Sequence, residues 1–220
     1  MTDVANPRTG RLLILTWILF FASFAVMLTQ KIGYEVVVLA GEGAFLAVGT
    51  IIVLRRPGNV LGWILVTMGL GWMITITLDV MAEVLAESGS ETAASWLALV
   101  GNVSTIPLIW LFAAVWLLFP DGHTYTTAAG RLLRYSGYYA LVLTMATAFA
   151  TPRILGPGAP SQRHPFLDDS LSDAIEEAIL PLVGLIFLIG LVAAGMLIGR
   201  ARRSGPVERR QIGWVAFAVI

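Results

Sequence analysis

The segment from Leu12 to Leu28 reads LLILTWILFFASFAVML and carries no charged residue. Its length of 17 residues approaches the roughly 20 apolar residues with which a helix crosses the hydrocarbon layer of a bilayer. Arg8 and Arg11 precede the segment, and the polar sequence TQK at positions 29–31 follows it in place of a small-residue cleavage site. We therefore expect a retained membrane-spanning helix rather than a removed signal peptide.

Similar apolar blocks recur along the rest of the chain. Of its 220 residues, 57% are hydrophobic and 13% are charged, whereas charged residues make up about a quarter of ordinary soluble domains. The sequence therefore predicts an all-α protein, a single polytopic transmembrane helical bundle over residues 1–220. We expect six complete spans and the start of a seventh, which would continue beyond residue 220, at positions 12–28, 34–54, 60–77, 93–119, 135–151, 178–199 and 212–220.

The basic residues predict the orientation of this bundle. Basic residues are concentrated on the cytoplasmic side of membrane proteins. A cytoplasmic amino terminus places 11 of the 14 basic residues on that side, and the sequence therefore predicts a multi-pass protein of the plasma membrane with its amino terminus in the cytoplasm. The 11 are Arg8, Arg11, Arg55, Arg56, Arg131, Arg134, Arg200, Arg202, Arg203, Arg209 and Arg210.

Composition and motifs exclude several kinds of chemistry. The chain has no cysteine, which removes disulfides, thiolate catalysis and cysteine-ligated metals. Its formal net charge of zero gives no global field that would attract nucleic acid. His123 and His164 fall in predicted loops on opposite sides of the membrane, and the chain has no phosphate-binding loop, dinucleotide fingerprint, zinc-binding helix or serine nucleophile motif. We expect no cofactor, no metal and no catalytic residue among these residues, and the lipid bilayer as the evident partner.

Glu42 is a carboxylate well inside an apolar block. An ionisable side chain at membrane depth is costly and usually faces protein or water, which makes Glu42 a candidate functional residue. It lies only eight positions from Tyr34, so a hydrated position near the outer interface explains it equally well. Asn102 and Thr105 stand beside Pro107 and either complete a polar site with Glu42 or bind backbone groups that the proline leaves without a partner.

Asp79, Glu83 and Glu87 recur every four residues. This spacing places the three carboxylates along one side of a helix that projects from the outer face. Two interpretations of this outer acidic ridge are open. It binds a cation or a cationic peptide, or it is simply a helix face exposed to solvent. The charge distribution alone favours the solvated face.

Three short segments lie on the predicted cytoplasmic side. They read RRPGNVLGW at 55–63, LFPDG at 118–122 and ERRQIGW at 208–214. The first two contain turn residues, since proline and glycine end one helix and Asn59 can cap the next. The residues that carry these cytoplasmic turn motifs are Pro57, Gly58, Asn59, Gly62, Trp63, Pro120, Asp121 and Gly122.

In their order and spacing, these segments resemble the membrane-embedded input region of bacterial two-component sensor histidine kinases, especially those of actinobacteria. The resemblance implies a sensory and signal-input function, a homodimer, and kinase domains that follow residue 220 and act on a response regulator. The phosphoacceptor histidine and the nucleotide-binding motifs of such kinases are absent from the 220 residues. The alternative is a small transporter or channel-like protein whose polar site contains Glu42.

Overall fold

The protein is built from α-helices, as a computed structural model that describes residues 7–30, 35–150 and 164–210 shows. No strand occurs within these three ranges, which confirms the all-α class. Six long helices occur within these ranges, namely α1 Pro7–Gln30, α2 Glu35–Arg55, α3 Val60–Glu87, α4 Glu91–Leu118, α5 Thr127–Thr147 and α6 Asp169–Arg203.

Four of these helices, α1, α3, α4 and α6, are long and apolar enough to cross a membrane, which indicates a membrane protein. Helices α2 and α5, with 21 residues each, are not among the four. The six predicted spans are therefore six helices, of which four qualify as spans by length and composition. The predicted seventh segment at 212–220 lies outside the described residues.

Several helices extend beyond the predicted apolar blocks. Helix α5 begins at Thr127 and ends at Thr147, whereas the sequence predicts a span at 135–151. Helix α6 begins at Asp169, nine residues before the predicted span at 178–199. The Asp168 side chain caps it by accepting a hydrogen bond from the Ser170 backbone N–H at 3.2 Å. Hydrogen bonds from the Ser170 hydroxyl and N–H also hold the pKa of the exposed Asp168 carboxyl below its usual range.

Helices α3 and α4 pack against each other at the centre of the bundle. Helices α1 and α2 pack on α3, while α5 and α6 pack on α4, so the molecule consists of two three-helix halves. Helices that follow each other in the chain are antiparallel, whereas the other packed pairs, α1 with α3 and α4 with α6, are parallel. The α3–α4 turn therefore lies at the opposite end from the α2–α3 and α4–α5 turns. We call the end that contains the α2–α3 turn, the α4–α5 turn and the carboxyl terminus of α6 the basic end, and the opposite end the acidic end.

Buried residues recur every seven positions in these helices. This spacing is typical of helices that pack side by side at a shallow crossing angle of about 20°. The opposite faces of α1 and α6 expose large apolar side chains such as Ile14 and Leu191, as expected of surfaces that contact lipid. The buried series are Leu13, Phe20 and Met27 in α1, Val66, Met73 and Val80 in α3, Leu99, Ile106 and Ala113 in α4, and Ile179, Ile186 and Ala193 in α6.

Glycines bring α2 and α3 into close contact. A Cβ atom added at Gly69 would lie 2.6 Å from the backbone oxygen of Glu42, and one added at Gly49 would lie 2.6 Å from the backbone nitrogen of Val66. Because these neighbours are backbone atoms, a side chain at either position requires the helices to separate. Small residues commonly permit such close approach between membrane helices.

Candidate functional site

Arg200 forms the centre of a polar cluster at the basic end. It lies in the last turn of α6, and its side chain is only 13% exposed. Its Nη1 donates to the backbone oxygen of Phe119 at 2.9 Å, and its Nε donates to Glu208 Oε1 at 2.5 Å. Its guanidinium lies 5.1 Å from the ring centroid of Tyr125, and Nη2 is 3.6 Å from Asp121 Oδ2. We call these five residues the Arg200 junction.

The junction joins three parts of the chain. Phe119 caps the end of α4, and Asp121 and Tyr125 belong to the α4–α5 turn. Glu208 belongs to a short helical segment, 206–210, that follows α6. Arg200 therefore holds the end of α4, the following turn and the segment after α6 in one arrangement.

The contacts within the junction differ in strength. Glu208 is 32% exposed and makes a short, charge-assisted hydrogen bond to Arg200, which is the stronger kind of ion pair. Asp121 is 54% exposed and lies farther away, so solvent screens most of its attraction. The loss of Arg200 would leave the Phe119 carbonyl and the Glu208 carboxylate without this donor, which makes Arg200 the residue on which the junction depends.

The segment after α6 folds back onto the end of that helix. Arg209 donates from Nε to the backbone oxygen of Ala201 at 3.2 Å and from Nη2 to that of Arg202 at 3.3 Å. The Ser204 hydroxyl bonds the Arg200 carbonyl at 2.9 Å. The last carbonyls of a helix have no partner within the helix and favour cationic donors, so these contacts fix the chain where it leaves the bundle.

The α2–α3 turn lies directly against the α4–α5 turn. Asn59 caps α3, as predicted, by accepting from the Leu61 N–H at 2.9 Å. The same Oδ1 lies 2.6 Å from the place where a Cβ of Gly122 would be. Gly122 also has a φ of +83°, a conformation that favours glycine. Residue 122 therefore requires glycine both for its backbone conformation and for the space that Asn59 occupies.

The predicted turn motifs thus meet at the basic end. Trp63 donates from Nε1 to the Pro57 carbonyl at 3.2 Å, which fastens the first turn to α3. Gly62 contacts Ile52 and Val53 of α2, since its Cβ would lie 2.8–2.9 Å from their methyl groups. Gly58 is exposed, and a Cβ there would meet no atom within 4 Å. Pro120 lies between Phe119 and Asp121 of the Arg200 junction.

The residues of the candidate intramembrane polar site are spread over two helices. Glu42 lies on α2, whereas Asn102 and Thr105 lie on α4. The two helices touch where the ring centroids of Phe45 and Phe112 are 5.7 Å apart. The Thr105 hydroxyl bonds the Gly101 carbonyl of its own helix at 3.1 Å. The carbonyl that loses its donor at Pro107 is that of residue 103, so Thr105 does not bind it either.

The outer acidic ridge is also not uniform. Glu83 and Glu87 are exposed, but Asp79 is only 4% exposed. Helix α4 covers Asp79, whose Oδ1 lies 2.7 Å from the position of a Gly101 Cβ. Thr75, one turn earlier, is 1% exposed. The ridge is therefore a pair of exposed carboxylates next to a buried one at the α3–α4 contact.

No cluster of three or more metal-ligating side chains occurs within residues 7–30, 35–150 and 164–210. The roles of Arg200, Tyr125 and Glu208 were not predicted from the sequence. Comparison of the chain with protein-family models, with curated proteins and with solved structures gives no match.

Proposed function

We propose that this chain is a membrane-embedded signal-input region, similar to those of two-component sensor histidine kinases. The observation that carries the proposal is the Arg200 junction, because it connects the core of the bundle to the segment that leaves it. A stimulus that shifts α4 or α5 relative to α6 changes the position of Glu208. This change is then passed to whatever follows in the chain.

In this proposal all six helices cross the plasma membrane, with the amino terminus and the basic end in the cytoplasm. The antiparallel order of the helices and the arginines at one end support this topology. A kinase core would follow residue 220, form a homodimer and phosphorylate a response regulator. The 220 residues would supply the input and no catalytic group.

Signal transfer of this kind requires two packing states that the stimulus favours unequally. The junction provides contacts that differ between two such states, since Arg200 binds three separate segments through one guanidinium. A state in which the segment 206–210 moves away from α6 loses the Glu208 contact. The free energy of the Arg200–Glu208 contact then contributes to the equilibrium between the two states.

The test uses the full reading frame, expressed and reconstituted in lipid vesicles, with autophosphorylation as the readout. We expect Arg200→Gln to lower the basal rate about fivefold or more, a typical size for coupling between sites. Glu208→Gln is expected to act in the same direction. The double variant should be little worse than Arg200→Gln alone, because both changes remove one shared contact.

Arg202→Gln is the matched control, since Arg202 is an exposed arginine in the same turn of α6. It should retain the wild-type rate. Equal loss in Arg202→Gln and Arg200→Gln would refute the role of the junction. A reading frame that stops soon after one more helix would refute the sensor kinase itself.

A transporter or channel-like protein is the second candidate, and one observation favours it. Glu42 Oε2 and the Thr75 hydroxyl are buried and make no hydrogen bond within the described part of the chain. An ionisable side chain such as that of Glu42 at membrane depth often marks an ion or substrate path. Solute uptake in cells that express the protein, compared with cells that express Glu42→Gln, distinguishes the candidates, and equal uptake argues against transport.

A further inference from the structure

A shallow groove runs between α1 and α2 at the basic end. It has a volume of about 640 Å³, and its lining includes Gly10, Ile14, Ile18 and Phe21 of α1 and Thr50 and Leu54 of α2. Ile14, Ile18 and Phe21 are all more than half exposed, so the groove opens toward the surroundings of the bundle.

The groove has an almost entirely apolar surface. Trp17 Nε1 donates to the Thr50 hydroxyl at 3.2 Å, so two polar groups of the groove satisfy each other. A ligand with a polar ring would therefore find few hydrogen-bond partners along the lining of the groove. A hydrocarbon chain, by contrast, needs only the apolar contacts that the lining offers.

The length of the groove matches one leaflet of a bilayer. From Gly10 to Phe21 the lining extends about 16 Å along α1, at about 1.5 Å per residue. The hydrocarbon core of a bilayer is about 30 Å thick, so one leaflet contributes about half of this. An acyl chain in the groove would extend from the level of the headgroups to the middle of the membrane.

Positive charge is concentrated where the groove reaches the basic end. Arg11 and Arg55 directly follow the lining residues Gly10 and Leu54 in the chain, and both side chains are exposed. Arg56 is exposed beside them. Helix α1 contains no acidic residue, so no carboxylate of α1 offsets this charge.

We propose that this groove is a binding site for one anionic phospholipid. One acyl chain lies between α1 and α2, and the phosphate of the headgroup is held by Arg11 and Arg55. The apolar lining selects a hydrocarbon chain, its length fits the leaflet on the basic side, and the arginines select an anionic headgroup. The proposal is independent of the signal-input function, since it requires only that the bundle lies in a membrane.

The test is native mass spectrometry of the full chain released from mixed phosphatidylglycerol and phosphatidylcholine bilayers with identical acyl chains. We expect wild-type protein to retain one phosphatidylglycerol in preference to phosphatidylcholine. The double variant Arg11→Gln/Arg55→Gln should reduce this preference about tenfold or more, given the attraction that each arginine contributes near an anionic lipid.

Arg131→Gln/Arg134→Gln is the matched control, because it removes two exposed arginines from α5 at the same end, away from the groove. It should keep the wild-type preference. An equal loss in both double variants would overturn the proposal, because a diffuse basic surface would then explain the binding.

A second variant tests the groove without a change of charge. Ile18→Trp fills part of the groove with an exposed side chain and should lower retention of the lipid while thermal unfolding stays near that of wild type. Unchanged retention in this variant would overturn the placement of the acyl chain. Equal retention of the two lipids by wild-type protein would overturn the preference for an anionic headgroup.

Discussion

At the scale of the residue, side chains of the same type at neighbouring positions differ in how deeply they are buried. Arg200, Arg202 and Arg203 stand within four positions, yet Arg200 is enclosed by the α4–α5 turn while the other two are exposed. In the sequence, each of these three arginines indicates a basic helix end. The sequence does not predict which arginine is enclosed, because that depends on a turn about 80 positions away.

Asp79 illustrates the same limit. Its spacing of four from Glu83 correctly predicts a shared helix face, but spacing does not reveal how far the neighbouring helix covers that face. Gly101 lets α4 approach closely enough to bury Asp79. A glycine in the middle of the fourth apolar block was the available signal, although many such glycines have no contact of this kind.

Gly69 gives a prediction at this scale. In an exposed helix, alanine is favoured over glycine by up to about 1 kcal/mol. At Gly69 we expect the opposite, a loss of about 1–3 kcal/mol for Gly69→Ala, because the added methyl group overpacks the α2–α3 contact. Thermal unfolding in one detergent measures the difference.

The control for this experiment is Gly195→Ala in α6. A Cβ at Gly195 would meet no atom within 4 Å, so this change should leave the protein as stable or slightly more stable. If both variants shift the unfolding temperature by the same amount in the same direction, the close α2–α3 packing described above is wrong.

At the scale of the element, the existence of the helices was predictable but several boundaries were not. Apolar blocks mark the part of a helix that fits lipid, whereas a helix continues into polar residues for as long as its backbone hydrogen bonds and caps allow. Helix α5 therefore begins eight residues before its apolar block, in a stretch that contains Arg131 and Arg134. Length and hydropathy predict the membrane span, whereas capping chemistry determines where the helix begins and ends.

The cap of α5 gives a prediction at this scale. The Thr126 hydroxyl accepts a hydrogen bond from the Ala129 N–H at 3.0 Å. Thr126→Ala should destabilise the first turn of α5 by about 1 kcal/mol, the usual cost of losing such a cap. Hydrogen exchange of the Ala129 and Gly130 amides, which bond to the hydroxyl and the carbonyl of Thr126, should then be faster than in wild type.

Thr126→Ser keeps a hydroxyl at the same position and should restore slow exchange. Thr127→Ala changes an exposed neighbour that lies inside the helix and should have little effect. Exchange of the Ala129 and Gly130 amides that does not change in Thr126→Ala would show that the cap contributes nothing to this helix end.

At the scale of the whole molecule, the sequence predicts a bundle but not its packing order. In a soluble protein, apolar residues mark the buried face of a helix. Here lipid accepts the apolar residues of the outer faces too, so the seven-residue recurrence of Leu13, Phe20 and Met27 is hidden among other apolar side chains. The central position of α3 and α4 was for this reason beyond sequence analysis.

The orientation of the bundle gives the prediction at this scale. The chain contains no cysteine, so a single introduced cysteine reports its own accessibility without background. In intact cells, a membrane-impermeant maleimide should label Glu87→Cys at the acidic end. Gly58→Cys at the basic end should react only after the membrane is made permeable.

Both residues are exposed, which makes the two variants comparable. Labelling of Gly58→Cys but not Glu87→Cys in intact cells would reverse the proposed orientation. Labelling of both would place the two turns on the same side and contradict an odd number of crossings between them.

The contact between Asn59 and Gly122 has a consequence for how the sequence can change over time. The side-chain amide of Asn59 caps the start of α3 in the first half of the bundle. The same amide occupies the space that a side chain at position 122, in the second half, would need. A substitution at either position is therefore tolerated only when the residue at the other position is compatible with it. Among descendants of this gene, positions 59 and 122 should change together or not at all.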